Sequence, residues 1–199
     1  IQVGKTFEKI IRSFGGLDIL VSNAGAAWSG KISELDNTVL ESSIKLNLLS
    51  HQYVAKEAVK IFKNQDISAQ KNNLMGGQLL FNISKQAINP GHDFGAYGIA
   101  KAGLMALMKQ YALEEGANYI RSNGVNADRI RSGLLDDQMI EKRACSRGIT
   151  IKEYMSGNLL NAEVEAKDVA KAFVNLCYLE RTTGSVLTVD GGNVAAMLR

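Results

Sequence analysis

The sequence has little proline and cysteine, and it lacks long hydrophobic runs and long runs of one charge. Its 199 residues include one Pro and two Cys, and no apolar run approaches the length of a membrane span. Two Cys exclude a disulfide framework, and neither they nor the two His have zinc-site spacing. A reduced, cytoplasmic protein without a bound metal is predicted. The net charge of +3 argues against nucleic acid and anionic membranes as partners.

The residues that are present alternate between helix-like and strand-like apolar patterns. Strands are predicted at 17–21, 79–83, 122–126 and 186–189, and helices at 7–14, 36–63, 95–115 and 169–177. This order implies βαβ units and one α/β domain over 1–199, with a doubly wound parallel sheet. The first strand is expected to be covered on both faces, segment 64–73 to be a surface connection, and segment 129–163 to be charged and mobile.

A phosphate-loop pattern follows the first strand but is incomplete. Gly25 to Lys31 fits G-x-x-x-x-G-K. The next residue should then be Ser or Thr, to bind magnesium, but it is Ile32. A turn with glycines is therefore favoured over a nucleotide triphosphatase.

The second strand is followed by residues that suit acid/base chemistry. Ligands of such sheets bind beyond the carboxyl ends of the strands, where Ser84 lies, and Tyr97 and Lys101 share one face of the next helix. A nearby ammonium favours the phenolate and lowers the pKa of a tyrosine. Tyr97 would then exchange a proton with a substrate oxygen that Ser84 hydrogen-bonds. Such a pair alone is more often merely exposed.

Further motifs in the same order strengthen this interpretation. They are Asn23-Ala24-Gly25, Asn47 within Leu46-Asn47-Leu48, Ser84 thirteen residues before Tyr97, Lys101, and Val189-Asp190-Gly191-Gly192. Together they resemble the short-chain dehydrogenase/reductase family over nearly the whole chain. Residues 81–87 and 126–135 are similar to the dehydrogenase half of bifunctional proteins in which a class II aldolase comes first. That resemblance implies an aldolase domain upstream in the parent polypeptide.

The resemblance implies a Rossmann-like fold and an oxidoreductase that uses NAD or NADP on a small alcohol or carbonyl compound, with a sugar-derived one as an option. It makes Tyr97 the general acid/base and Ser84 the residue that orients the carbonyl. Lys101 would lower the pKa of Tyr97 and hold the nicotinamide ribose, and Asn47 would hold a water in a proton relay. The residues implied to contact the cofactor are Asn23, Ala24, Gly25, Tyr97, Lys101 and Ile130.

The sequence departs from the family pattern at two places. Lys85 stands where many members have a second Ser, so Ser84 is assigned as catalytic and Lys85 is held in reserve. Ala127-Asp128 replaces the common Pro-Gly. For Asp128 and Arg129, solvated loop charges are favoured over a salt bridge or a substrate contact.

The glycine-rich turn that holds the pyrophosphate in complete members is not in this sequence. By the resemblance, Ile1 enters at the helix before the fourth strand, so the chain is expected to be the C-terminal portion of the fold. It is expected to be either a fragment of a longer polypeptide or a reduced gene product. The alternatives are a non-catalytic remnant that keeps oligomer contacts and a sugar-nucleotide epimerase or dehydratase.

Association with other copies is also expected. The first strand would leave one edge unpaired, so a homo-oligomer is predicted, formed across that edge or through the helices 36–63 and 95–115. The turn at Asp190-Gly191-Gly192 is expected to shape subunit contacts. The choice between NAD and NADP stays open, because the residue near the ribose 2′ position lies outside the sequence.

Overall fold

The computed structural model of the chain describes residues 2–65 and 76–194, in which strands and helices alternate. The strands are β1 (Ile19–Ser22), β2 (Gly77–Asn82), β3 (Ile120–Ala127) and β4 (Val186–Val189). The helices are α1 (Gln2–Phe14), α2 (Asn37–Ile44), α3 (Ser50–Asn64), α4 (Gly95–Glu115), α5 (Asp137–Cys145), α6 (Ile151–Met155) and α7 (Ala166–Tyr178). The predicted surface connection 64–73 lies mostly outside the described residues.

The four strands form one parallel sheet in the order β1-β2-β3-β4. Alternate residues of β2 pack on opposite faces. Leu79 and Phe81 join a core with α3 and α4, whereas Leu80 joins a second core with α7. Helices therefore cover both faces, and the predicted doubly wound α/β fold is confirmed. The aligned carboxyl ends of the strands place the following loops along one edge of the sheet.

The first strand differs from its prediction. It begins at Ile19, two residues later than expected, and Ile19 and Val21 are 39% and 49% exposed. The expectation that this strand is covered on both faces is wrong, because β1 is the edge of the described sheet and its Ile19/Val21 face is open.

The segment 129–163 is folded, and the expectation of a mobile segment is wrong. It contains α5 and α6, whose apolar residues make a small core of Leu135, Ile140, Ala144, Tyr154 and Met155. Asp136 caps α5, and Thr150 forms a capping box with Glu153 at the start of α6. These caps satisfy free backbone N–H groups of two short helices.

The predicted long helix 36–63 is interrupted near its middle. Between α2 and α3 the chain makes a π-helical turn, Lys45–Leu49, that contains Asn47. Such turns are rare in proteins, and those that do occur are often found at functional sites. The glycines before this helix form no phosphate loop, because Gly30 pairs with the segment at Phe94 and helix α2 begins only at Asn37.

The described part of the chain contains neither a candidate membrane span nor a candidate metal cluster. None of the helices in residues 2–65 and 76–194 is long and apolar enough to cross a membrane. Over the same residues, no group of three or more His, Cys, Asp or Glu would suit a metal ion.

Candidate active site

A cavity of about 170 Å³ lies beyond the carboxyl ends of β2 and β3. Ser84 and Tyr97 line it, and so does Ile130, from the loop that follows β3. The cavity therefore unites three residues that the sequence analysis singled out from three separate segments.

Tyr97 lies in the first turn of α4 and is only 7% exposed. Its ring packs edge-on against Phe94 at a centroid distance of 6.3 Å. Burial raises the pKa of the phenol to about 12, and a hydrogen bond with the Ser84 side chain opposes part of this effect. The expected lowering of the Tyr97 pKa by Lys101 is not found, because burial dominates.

Lys101 lies one turn further along α4 and is 2% exposed. Its Nζ donates a hydrogen bond to the Asn82 carbonyl oxygen at 2.8 Å and lies 5.6 Å from the Tyr97 ring centroid. Burial lowers the pKa of Lys101 to about 8. The ammonium is thus held beside the ring of Tyr97, where it can stabilise a phenolate once one forms.

Asn47, in the π turn, is fully buried. Its Oδ1 accepts from the Ala26 N–H at 3.1 Å, and its Nδ2 donates to the Ala26 carbonyl at 2.8 Å and to the Ser43 hydroxyl at 3.1 Å. An amide that satisfies both backbone groups of one residue fixes that residue's position. Asn47 therefore anchors the loop after β1, and its role in a water relay stays a prediction.

The anchored loop contains the predicted cofactor contacts Asn23, Ala24 and Gly25. A Cβ at Gly25 would lie 2.8 Å from Asn47 Oδ1, so only glycine fits there without displacing that side chain, and it would contact Lys101 Nζ at 3.8 Å. Asn82 Nδ2 donates to Asn23 Oδ1 at 2.6 Å. The structure thus brings this loop to the Lys101 side of the site.

The sequence pattern did not indicate Asn82, which links the loop to helix α4. Its side chain holds Asn23 and its carbonyl oxygen accepts from Lys101. The signal available was its position as the last residue of a strand, two residues before Ser84.

The same residues suit the ribose of a nicotinamide cofactor. Asn82 Oδ1 is buried and has no hydrogen-bond partner within the described residues. An ammonium has three protons, and one hydrogen bond of Lys101 is seen in this part of the chain. An unused acceptor and unused donors beside a glycine match a ligand with several hydroxyls. These residues therefore fit the ribose of a nicotinamide cofactor.

Asp128 and Arg129 are not solvated loop charges, which corrects the expectation. Their side chains are 12% and 20% exposed, and Arg129 Nε lies 3.4 Å from an Asp128 oxygen. Lys85 Nζ is 3.9 Å from the same oxygen. Asn193 also donates to it, from a turn in which Asp190 accepts the N–H groups of Gly192 and Val194. The C-terminal turn thus holds Asp128 in place.

A buried histidine contacts the carboxyl end of strand β1. His51 is 1% exposed, and its Nδ1 lies 2.6 Å from the Ser22 hydroxyl at the end of β1. Burial, followed by the charge of Lys101, lowers the pKa of His51 to about 4. The imidazole is therefore neutral at pH 7.

This histidine predicts a loss of stability in mild acid. Between pH 6.5 and 4 the unfolded chain binds a proton at His51 that the folded chain excludes, so the free energy of unfolding falls as the pH is lowered. The contribution is roughly 3 kcal/mol. Urea denaturation across this range should show it, and His51→Gln should remove most of the slope. His92→Gln, at the exposed second histidine, is the control, and equal slopes for both variants would contradict the prediction.

Comparison with known proteins finds relatives that match this chain over almost its whole length. The family model described as enoyl-(acyl carrier protein) reductase matches residues 1–193. The uncharacterized oxidoreductase YuxG of Bacillus subtilis is 33% identical over 208 residues, which cover 100% of this chain and 29% of that protein. The (+)-borneol dehydrogenase 1 of Salvia officinalis is 30% identical over 197 residues, which cover 96% of this chain and 70% of that dehydrogenase. The chain thus spans less than a third of YuxG.

A solved structure has the same fold. It is that of ElxO with NADP bound, which superposes with a TM-score of 0.81 at 25% sequence identity. The match covers 98% of this chain and 74% of ElxO.

Proposed function

Because this chain belongs to the short-chain dehydrogenase/reductase family, we propose that it carries the acid/base residues of a nicotinamide-dependent oxidoreductase. The substrate is a small alcohol or carbonyl compound, with sugar-derived compounds among the options. The observation that carries the proposal is the buried Tyr97, which lines the cavity together with Ser84 and is flanked by Lys101.

The protein residues act on the substrate oxygen. A bound nicotinamide would supply or accept the hydride. In the direction of reduction, Ser84 orients the carbonyl through its hydroxyl and Tyr97 donates a proton to the oxygen. A pKa of about 12 keeps Tyr97 protonated at pH 7, which is the form that a proton donor needs. The charge of Lys101 stabilises the phenolate that remains.

The cofactor would be held by residues that surround Lys101. Asn23, Ala24 and Gly25 line it from the loop anchored by Asn47, while Lys101 and Tyr97 contact the ribose. Ile130, in the cavity lining, offers its backbone to the carboxamide. NADP bound to ElxO supports a nicotinamide cofactor, and both NAD and NADP remain candidates. Oxidation or reduction of the nicotinamide, followed by absorbance in a form of the protein that binds the cofactor, tests this function. No turnover across a panel of small alcohols and carbonyl compounds would contradict it.

The isolated 199-residue chain is expected to bind its cofactor weakly. Its sequence has no glycine-rich turn to hold the pyrophosphate, so its Kd for NAD(H) and NADP(H) should exceed about 100 μM. Calorimetry measures this, with a form extended by the strands and glycine-rich turn of a family member as control. Micromolar affinity of the 199-residue chain would show that other residues replace the turn.

The oligomeric state, an upstream domain and an alternative function are also proposals. We propose a cytoplasmic homo-oligomer, supported by the open face of Ile19 and Val21 on β1 and by Leu113, which is 78% exposed on α4. An upstream aldolase domain is proposed by resemblance, and the greater length of YuxG agrees with it. A non-catalytic remnant that keeps the oligomer contacts is the second candidate.

A further inference from the structure

The cavity beside Tyr97 is lined by more positive charge than the proposed acid/base chemistry uses. Among its described lining residues, Asp128 is the one acidic side chain. The basic side chains of the lining are Lys85, Arg129, Arg143 and Arg147. Four cations against one carboxylate leave an excess of positive charge at the place where the substrate binds.

Lys85 is the most buried of these cations, with 7% of the residue exposed. Burial lowers its pKa, and the charges of Arg129, Arg147 and Arg143 act in the same direction, whereas Asp128 opposes them. Its ammonium is 3.9 Å from Asp128, which is too long for a hydrogen bond. Asp128 is also engaged by Arg129 and Asn193, so it compensates Lys85 only in part.

Arg143 and Arg147 are positioned by aromatic rings and carbonyl groups. Arg143 Cζ lies 4.0 Å from the Phe94 ring centroid, and Arg147 Cζ lies 5.3 Å from that of Tyr154. Arg147 donates to the Arg143 carbonyl at 2.9 Å. Within the described residues, neither guanidinium has a carboxylate within 4.0 Å, and the buried Nε of Arg143 has no partner.

Arg129 differs from the other three cations. Its guanidinium donates to the carbonyls of Tyr154 and Gly157 and contacts Asp128. Its backbone has a φ of 52°, an uncommon conformation for arginine, and these contacts hold it there. Arg129 is therefore part of the framework, and the uncompensated charge belongs to Lys85, Arg143 and Arg147.

We propose that the substrate carries an anionic group, a carboxylate or a phosphate, that binds Lys85 and Arg143 while its carbonyl or hydroxyl lies at Ser84 and Tyr97. The proposal rests on the proposed function and adds the substrate class. Partly buried cations are costly unless they are paired, and an anion would supply the missing partner. Lys and Arg bind carboxylate and phosphate by short, charge-assisted hydrogen bonds. The small cavity favours a short substrate.

Such an anion would be held equally before and after the hydride moves, because its charge takes no part in the reaction. The interaction therefore stabilises substrate and transition state alike and changes KM rather than kcat. This split distinguishes substrate binding from a merely structural role of Lys85.

The first experiment measures binding to the 199-residue chain by calorimetry. The probes are lactate and glycerol 3-phosphate, each paired with a neutral analogue, 1,2-propanediol and glycerol. We expect at least one anion to bind about tenfold more tightly than its analogue, and Lys85→Met and Arg143→Gln to weaken it by about tenfold to a hundredfold. The stronger of the two anions identifies the group as carboxylate or phosphate.

Lys142→Gln is the matched control. Lys142 precedes Arg143 on α5, is exposed and does not line the cavity, so its loss removes the same charge from the surface. Equal binding of anions and neutral analogues, or equal effects of the Lys142 and Lys85 variants, would overturn the proposal. If circular dichroism shows that Lys85→Met is unfolded, the Arg143→Gln variant, at a less buried residue, tests the proposal.

Turnover separates this proposal from the proposed function. In a form that turns over, Lys85→Met should raise KM for an anionic substrate by about tenfold to a hundredfold, the factor expected for binding. We expect kcat to change little and the KM of neutral substrates to stay the same. Efficient turnover of neutral alcohols that is insensitive to Lys85→Met would overturn the anion site and leave the oxidoreductase intact. Anion binding that needs Lys85, in a protein with no turnover, would support the site and contradict the oxidoreductase.

Discussion

Replacing Tyr97 by Phe is expected to reduce hydride transfer by about a thousandfold while the cofactor affinity changes only a few fold. The substitution removes the hydroxyl that is proposed to give a proton to the substrate oxygen, and it keeps the ring that packs against Phe94. The assay follows nicotinamide absorbance in a form of the protein extended with the family's glycine-rich strand, since the sequence has no such turn.

Tyr111→Phe is the matched control for this prediction. Tyr111 lies on the same helix, α4, and its hydroxyl donates to Gln52 at 2.8 Å, away from the cavity. We expect this variant to retain turnover within about threefold. Turnover of Tyr97→Phe within a few fold of the parent would remove Tyr97 from its proposed role.

Replacing Asn47 by Ala should lower the free energy of unfolding by roughly 2–4 kcal/mol. The substitution leaves the partly buried N–H and carbonyl of Ala26 without their partner, and it removes the hydrogen bond to Ser43. For a domain of ordinary stability this is a large fraction of the total. Denaturant unfolding measures the change.

A local measurement tests the anchoring role directly. Amide hydrogen exchange at Ala26 should become fast in Asn47→Ala, because the side chain that accepts this N–H is gone. Ser43→Ala is the control, since it removes one partner of Asn47 and leaves Ala26 bonded. Slow exchange at Ala26 combined with lost turnover would instead favour the water-relay role that the family resemblance implies.

The strand and helix pattern could be predicted because local periodicity carries it. Helix α4 was predicted with its observed bounds, Gly95–Glu115, and strand β4 likewise at Val186–Val189. The error at β1 has a tertiary cause: a short apolar run is the same whether the strand is central or at an edge, and the exposure of Ile19 and Val21 depends on what lies beside it.

The proximity of the candidate site residues could be predicted from the sequence, whereas their electrostatics could not. Tyr97, Lys101 and Ser84 are recognisable by spacing, which a helix and a strand end convert directly into proximity. Their pKa values depend on burial, and the sequence does not state how completely Tyr97 is enclosed. Lys85 and Arg143 are 58 positions apart in the sequence, and only folding of the segment 129–163 brings both to one cavity.

The π turn at Lys45–Leu49 has a consequence for how this sequence can change in evolution. A π turn holds one residue more than an α-helical turn, and each residue of an α-helix turns the chain by about 100°. Deleting a single residue here would give a more regular helix but would rotate Ser43 and Asn47 relative to α3 and away from Ala26. Substitutions at the exposed Lys45 and Leu49 leave that geometry unchanged. Descendants of this sequence should therefore vary at Lys45 and Leu49, while Asn47 and the length of the turn stay constant.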